Sequence, residues 1–498
     1  MSPLSAMSKI RQLVGQTAIY GLSSILGRVL NFFLTPLYVR VFTEADNGVI
    51  YDFYTLVAFI MVLFTYRMET AYFRFATDKD ANNRKSFGTA FSSIIGSTFL
   101  AGGLIFMFSN SIAQWMKYPD HPEYIQIFGA ILCLDALMEI PFAQLRLEGK
   151  AMRFAFTRLT GVGINLTGNI FFLLVCPWLK NNHGISAPFY DPTIGVGYVF
   201  IVNLLASSIS LLMLLPTFKW NFEFDIKLWF KMLKYSAPLM VVATAGVINE
   251  MLDRQLLKYL LPYSWLENKR QLGIYGANYK LAMMISLFTQ AFRYAAEPFF
   301  FKNSTDQKSP ELFAKIAKFF TLFNLLGFLI IVLFLHIFKF YIGKEGSGFH
   351  EGLVVVPILL MANIFLGLYY NVSNWYRLTD RTSFGMWIAL MGAGITILLN
   401  IWWIPVFGYL GSAWATLICY VLMVIVAYRI GLKFYPMSYD WAGILAYTAL
   451  ALIIVFTSWI LNDVLEAGFW IKTLLAGLLT TIFLYIVYVW EYKKLKSS

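Results

Sequence analysis

The chain has 498 residues, of which 59% are hydrophobic, 18% aromatic and only 13% charged, and it carries a net charge of +12. Soluble domains hold about 25% charged residues, and a mean hydropathy of +0.65 excludes a soluble enzyme, a disordered chain and a disulfide-rich secreted scaffold. The remaining class is an all-α polytopic membrane protein, because stretches such as FTLFNLLGFLIIVLFLHIF (320–338) lack the period-two alternation of a membrane β-barrel.

In chain order, apolar segments of spanning length fall near 14–40, 48–72, 88–110, 123–144, 154–178, 194–216 and 235–261. They continue near 272–299, 318–340, 352–374, 383–404, 409–430, 441–461 and 468–490, about fourteen transmembrane helices in all. Lys9 and Arg11 precede the first segment and Arg28 lies at its middle. The segment is too long for a signal peptide and lacks a clear cleavage site, so it reads as an uncleaved first helix. Lys and Arg gather in alternate loops, 24 on one side against 5 on the other. That asymmetry places both termini in the cytoplasm. With no basic stripe on a soluble domain, no nucleic-acid partner is expected.

The loops are too short for a soluble catalytic domain, and no Walker A, GxSxG or kinase motif occurs; the chain reads as a transporter and not an enzyme. Cys133, Cys176 and Cys419 lie in apolar segments, and the four histidines are scattered. Neither set has metal-ligand spacing, so no metal site and no bound cofactor are expected.

The sequence repeats itself. Gly48, Tyr54 and Leu56 recur as Gly273, Tyr279 and Leu281 at an offset of 225. Glu69, Phe73, Arg74, Thr77 and Asp78 match Glu297, Phe301, Lys302, Thr305 and Asp306 at 228. Arg146, Leu147 and Lys150 match Arg377, Leu378 and Arg381 at 231, as do Gly161, Gly163 and Asn169 with Gly392, Gly394 and Asn400. A repeat of six helices keeps its orientation in the membrane, so the halves are expected to be related by an axis along the membrane normal. The expected organisation is two pseudo-symmetric six-helix bundles, 1–222 and 223–435, around a central cavity, plus two additional helices and a basic tail in 436–498. Such a pair suits a transporter and not a channel with a ring-like filter.

GQTAIYGLSSILGRVLNFFLTPLYVRVF followed by GVIYDFYTL, and the later run Asn400-x4-Pro405-x2-Gly408-x2-Gly411-Ser412-Ala413-Trp414-Ala415-Thr416, resemble signatures of the bacterial polysaccharide and oligosaccharide flippases. These belong to the multidrug/oligosaccharidyl-lipid/polysaccharide exporter superfamily. The resemblance covers about 1–435. It implies alternating-access transport of a polyprenyl-pyrophosphate-linked oligosaccharide from the cytoplasmic to the periplasmic leaflet of a bacterial inner membrane, for surface polysaccharide or lipopolysaccharide. Membrane lipids, a polysaccharide polymerase and glycosyltransferases are the implied partners, with coupling to a proton or sodium gradient or to the membrane potential. The alternatives are a drug/cation antiporter of the multidrug-extrusion type and a lipid II flippase.

Ionisable side chains at mid-depth are costly and face protein or water. Arg28 has two readings: a pyrophosphate ligand, for which the guanidinium fork is suited, or a buried ion pair with Glu250 or Asp253. Glu250, Asp253 and Arg254 cluster on the seventh helix. Glu250 and Arg254 share a face, Arg254 is a candidate substrate contact, and Glu250 or Asp253 is a candidate for ion coupling. Lys280 matches the place of a cavity arginine in lipid II flippases, in an NYKL context; Thr55 or Leu56 stands where those proteins tend to carry a second cation, which argues against lipid II. Arg67 with Glu69 and Arg293 with Glu297 are repeat-related and read as a cytoplasmic gate network or as substrate contacts. Asp52 reads as part of the opposite gate, and Asp135 and Glu139 as cavity lining. The glycine pairs read as bend or packing sites, and Pro36 and Pro238 as kinks in the first and seventh helices.

Overall fold

The computed structural model describes the chain except residues 1–19, 22, 24, 31, 78–82, 186–187, 189, 219–222, 304–308, 380, 467 and 498, and the side chains of 83, 294–303, 309 and 494–497. The described residues form helices and no strand. They divide into two compact units, Met1–Gln255 and Leu256–Ser498.

Unit 1 holds α1 (Leu34–Val41), α2 (Glu44–Thr65), α3 (Met68–Ala76), α4 (Asn83–Met107), α5 (Ser109–Trp115), α6 (Pro122–Leu147), α7 (Ala151–Ile170), α8 (Cys176–His183), α9 (Gly197–Leu214) and most of α10 (Ile226–Leu260). Local chemistry sets several of these ends. Thr43 and Asp46 form a reciprocal capping box at the start of α2, which satisfies backbone donors the helix leaves open. Pro36 lies in the first turn of α1, just after a turn at Phe33. Its missing N–H falls where the first turn of a helix needs none. Asp225 accepts from the N–H groups of Lys227 (2.9 Å) and Leu228 (3.1 Å) at the start of α10. The Leu228 N–H chiefly holds its carboxyl below the usual aspartate range. Gly88 permits α4 to meet the chain entering α10, since a Cβ there would lie 2.7 Å from the Glu223 carbonyl oxygen. The core is aromatic: Phe53 of α2 stacks on Phe128 of α6 at 4.9 Å, and Phe200 of α9 meets Phe128 edge-on at 4.5 Å.

Unit 2 holds α11 (Trp265–Asn303), α12 (Ser309–Leu333), α13 (Val356–Val372), α14 (Thr382–Phe434), α15 (Trp441–Val464) and α16 (Phe469–Ser497). α14 is two helices joined across a break at Gly408, where φ 60 and ψ −143 are open to glycine. Gly411 completes the bend, because a Cβ there would meet the Trp403 carbonyl oxygen at 2.8 Å. Trp375 is buried and donates from Nε1 to the Ala427 carbonyl at 3.0 Å. The two final helices are fastened to α12 at both ends. Lys318 Nζ lies 3.1 Å from Asp440 Oδ2 and 2.5 Å from Glu491 Oε1, and Tyr447 also donates to Glu491. Just past the far end of α12, His336 Nε2 and Thr473 Oγ1 are 2.9 Å apart.

Among the described residues, eleven helices are long and apolar enough to cross a membrane. Fourteen spans were expected, and the count differs at three places. Much of the first segment lies outside the described residues, and α14 carries two segments in one helix. α11 is interrupted by polar side chains, including Asn278, Lys280, Gln290 and Arg293. The chain is an all-α, multi-pass membrane protein.

Candidate functional site

Among the described residues of unit 1, the buried charged side chains fall into two groups. The first surrounds Asp52 on α2, which is 0% exposed. Tyr118, between α5 and α6, donates to its Oδ2 at 2.8 Å. Gln255, near the end of α10, donates to Oδ1 at 2.7 Å and to the Asp52 carbonyl at 3.0 Å. These contacts join the second expected span to the seventh through a carboxylate. Immediately before Gln255, Asp253 and Arg254 are both buried. The Arg254 N–H donates to Asp253 Oδ1 at 2.8 Å, and its Nη1 donates to the Glu250 carbonyl at 3.2 Å. The Glu250 residue is exposed. Asp52 and the 250–255 run, far apart in sequence, thus share one neighbourhood.

The second group begins where the second span breaks. Tyr66 and Arg67 have φ values of 34 and 59, a left-handed pair without glycine. The break lets Arg67 turn toward Glu69, Nη1 to Oε1 3.2 Å, and Thr70 Oγ1 donates to the same oxygen at 3.0 Å. Glu69 is buried in the first turn of α3, where the helix dipole favours a carboxylate. Glu139 on α6 lies within electrostatic range of Glu69, Asp135, Arg146 and Arg158. Ser207 of α9 donates to Asp135 Oδ1 at 2.7 Å, and the Arg158 guanidinium sits 4.9 Å from the Phe142 ring centroid. A chain of contacts fastens α3 to α6: Tyr72 donates to Gln144, Gln144 to Glu148, and Glu148 pairs with Lys150 at 2.7 Å.

Arg28 is exposed within the helical stretch 25–30. Lys280 is half-buried on α11, close in sequence to buried Asn278, whose Nδ2 donates to the Phe349 carbonyl at 2.8 Å. Arg293 stacks on Tyr370 of α13 at 4.0 Å. The Glu297 side chain lies outside the described residues. Among the participants that escaped the sequence reading are Tyr118, Gln255, Ser207 and Arg158. Arg158 was detectable as an ionisable residue inside an apolar span. The other three are neutral, and nothing in the sequence marks them.

The profile of the family described as "Polysaccharide biosynthesis protein" matches residues 13–304, more than half of the chain. The chain belongs to the polysaccharide biosynthesis protein family. Several solved structures share this family member's fold. One is an inward-facing multidrug resistance MATE family transporter of the MOP superfamily, with a TM-score of 0.64 and 12% identity, over 84% of this chain and 97% of that one. A second is a MATE protein in a straight conformation, with a TM-score of 0.58 and 13% identity, over 85% and 95%. A third is a MOP superfamily transporter from Pyrococcus furiosus, described as having a binding pocket of reverse polarity, with a TM-score of 0.53 and 14% identity, over 84% and 95%. No curated protein sequence matches the chain. At such identities the likeness carries the fold alone, and that fold is one of membrane transporters.

Proposed function

We propose that this chain is a flippase that moves a polyprenyl-pyrophosphate-linked oligosaccharide from the cytoplasmic to the periplasmic leaflet of a bacterial inner membrane, by alternating access, for surface polysaccharide synthesis. The observation that carries the reading is membership of the polysaccharide biosynthesis protein family in a chain with a membrane-transporter fold. Charge inside the spans supports it: Asp52, Asp253, Arg254 and Glu69 are all buried, an arrangement kept in membranes where ions or polar substrates pass. In this proposal Arg28, Lys280 and Arg254 contact the pyrophosphate, and Glu250 or Asp253 takes part in coupling to an ion gradient. The Asp52 group and the Arg67–Glu69 pair act as gates on opposite sides.

Depletion of the protein tests this. Undecaprenyl-pyrophosphate oligosaccharide should accumulate on the cytoplasmic face, surface glycan should fall, and peptidoglycan should stay normal. Loss of peptidoglycan precursor transport would favour a lipid II flippase. The multidrug description of one structural relative motivates a second reading, drug export, and a change in drug susceptibility with intact surface glycan would favour it. Arg28→Ala and Lys280→Ala should each abolish flipping while leaving the protein folded. Normal surface glycan in both variants would remove these residues from the substrate path.

A further inference from the structure

A cavity of about 420 Å³ opens on unit 1 beside the break in the second span, within the size range of small-ligand pockets. Its wall includes Tyr66 at the break, Ser92, Ser93 and Ser97 of α4, and Phe224 and Trp229 at the start of α10. Among the described residues no charged side chain lines it, which disfavours a phosphate as the occupant. Three aromatic side chains supply flat apolar faces, while Ser93, held by Trp229 and Tyr66, and Ser97, bonded to the Phe64 and Ile94 carbonyls, offer their hydroxyls to a ligand by exchange. Flat rings edged by exchangeable hydroxyls suit the apolar face and polar rim of a neutral sugar ring better than an anion.

The depth of the cavity points the same way. Asp225, four residues before Trp229, donates its N–H to Thr89 Oγ1 at 3.0 Å, and its carboxylate lies 3.7 Å from Lys85 Nζ. This charged layer lies at helix ends next to loops that the Lys/Arg asymmetry assigns to the cytoplasm. One turn further in stands Trp229, a side-chain type that anchors at lipid headgroups.

The hydrogen bonds link the pocket to the break. Trp229 Nε1 donates to Ser93 Oγ at 2.6 Å, and Ser93 Oγ lies 2.5 Å from Tyr66 Oη. A ligand hydroxyl competing for Ser93 therefore acts on a side chain whose own backbone is in the left-handed region. Arg67, paired with Glu69, follows directly.

We propose that this pocket receives a neutral sugar residue of a lipid-linked saccharide in the cytoplasmic leaflet, and that Tyr66 passes its arrival to the helix break. The proposal rests on the flippase reading and deepens it by giving the sugar a first binding place outside the intramembrane charges. Ser92→Cys, in a full-length chain whose three native cysteines are replaced by alanine, is reconstituted in nanodiscs. Its rate of maleimide labelling is measured with the lipid-linked oligosaccharide extracted from depleted cells, and with undecaprenyl pyrophosphate alone. Binding of each lipid is measured in the same preparation. At a lipid concentration about five times the dissociation constant, the saccharide-bearing lipid should slow labelling by about sixfold, and the sugarless lipid should leave it unchanged. Trp229→Phe in the same background, which keeps an aromatic face and loses the N–H, should weaken that protection; undiminished protection would remove the indole from the site. Binding of the glycolipid without protection, or equal protection by both lipids, overturns the pocket and leaves the flippase reading standing. No accumulated glycolipid, or none bound, overturns both.

Discussion

The second and eighth spans are copies in sequence but not in backbone. Gly48, Tyr54 and Leu56 have counterparts at Gly273, Tyr279 and Leu281, yet the first copy ends α2 at Thr65 and restarts as α3 at Met68. The second copy runs from Trp265 to Asn303 as one helix of 39 residues. The arginines differ accordingly. Arg67 turns through the left-handed pair to meet Glu69, whereas Arg293 projects from an unbroken helix onto Tyr370. Duplication kept the residue types, and the neighbours of each copy decided the shape. The first copy has α3 fastened to α6 through Tyr72, Gln144 and Glu148, so its cytoplasmic piece is held independently of α2. The unit that houses the second copy is braced instead by the extra helices α15 and α16, through Lys318.

The largest effect should come from removing that brace. Lys318→Met leaves Asp440 and Glu491 without their shared cation. Lys318 is buried but its two acids are partly exposed, so deleting the cation should cost about 2–3 kcal/mol, short of a fully buried network. Thermal unfolding in detergent should fall by several degrees, and limited proteolysis should begin to cut near 436–440. Unchanged stability would mean that apolar packing alone holds α15 and α16. The repeat-related arginines should then rank unequally. Arg67→Met strands buried Glu69; because Arg67 is half-exposed, the cost should lie near 2 kcal/mol, between exposed and buried pairs. Arg293→Met loses a cation–π contact worth about 1 kcal/mol. Equal losses in the two variants would show that the break gives Arg67 no special role.

Much of this fold was legible before any coordinates. The apolar segments coincide with helices because length and hydropathy in a bilayer leave the backbone one solution, all its hydrogen bonds made within the segment. The Gly408–Gly411 bend was readable as a bend because glycine there serves close approach. The break at Tyr66–Arg67 was not. Neither residue is glycine or proline, so local propensity argues for an unbroken helix, and only contacts with Ser93 and Glu69 reveal the turn. The site was legible in its charges and illegible in its neutral donors. Asp52, Arg67, Glu69, Asp253 and Arg254 stand out as ions in apolar sequence. Tyr118 and Gln255, which hold Asp52, are common residues whose partners lie 66 and 203 positions away.

Glycine offers the finest test of the two backbones, because it acts on them in opposite directions. At position 67, where φ is +59, a side chain costs about 1 kcal/mol that glycine does not. Arg67→Gly also strips the cation from Glu69, so the comparison belongs in a Glu69→Gln background, where no carboxylate is left unpaired. There Arg67→Gly should raise stability by about 0.5–1 kcal/mol. Ala291 lies two residues before Arg293, the counterpart of Arg67, inside continuous helix. Ala291→Gly should lower stability by about the same amount, as glycine does within helices generally. Opposite signs in paired melting curves would establish that the copies differ in backbone under native conditions. A loss in both would mean that the second span is helical through Tyr66 and Arg67 in the membrane, and the proposed relay from Trp229 through Ser93 would then have no break to act on.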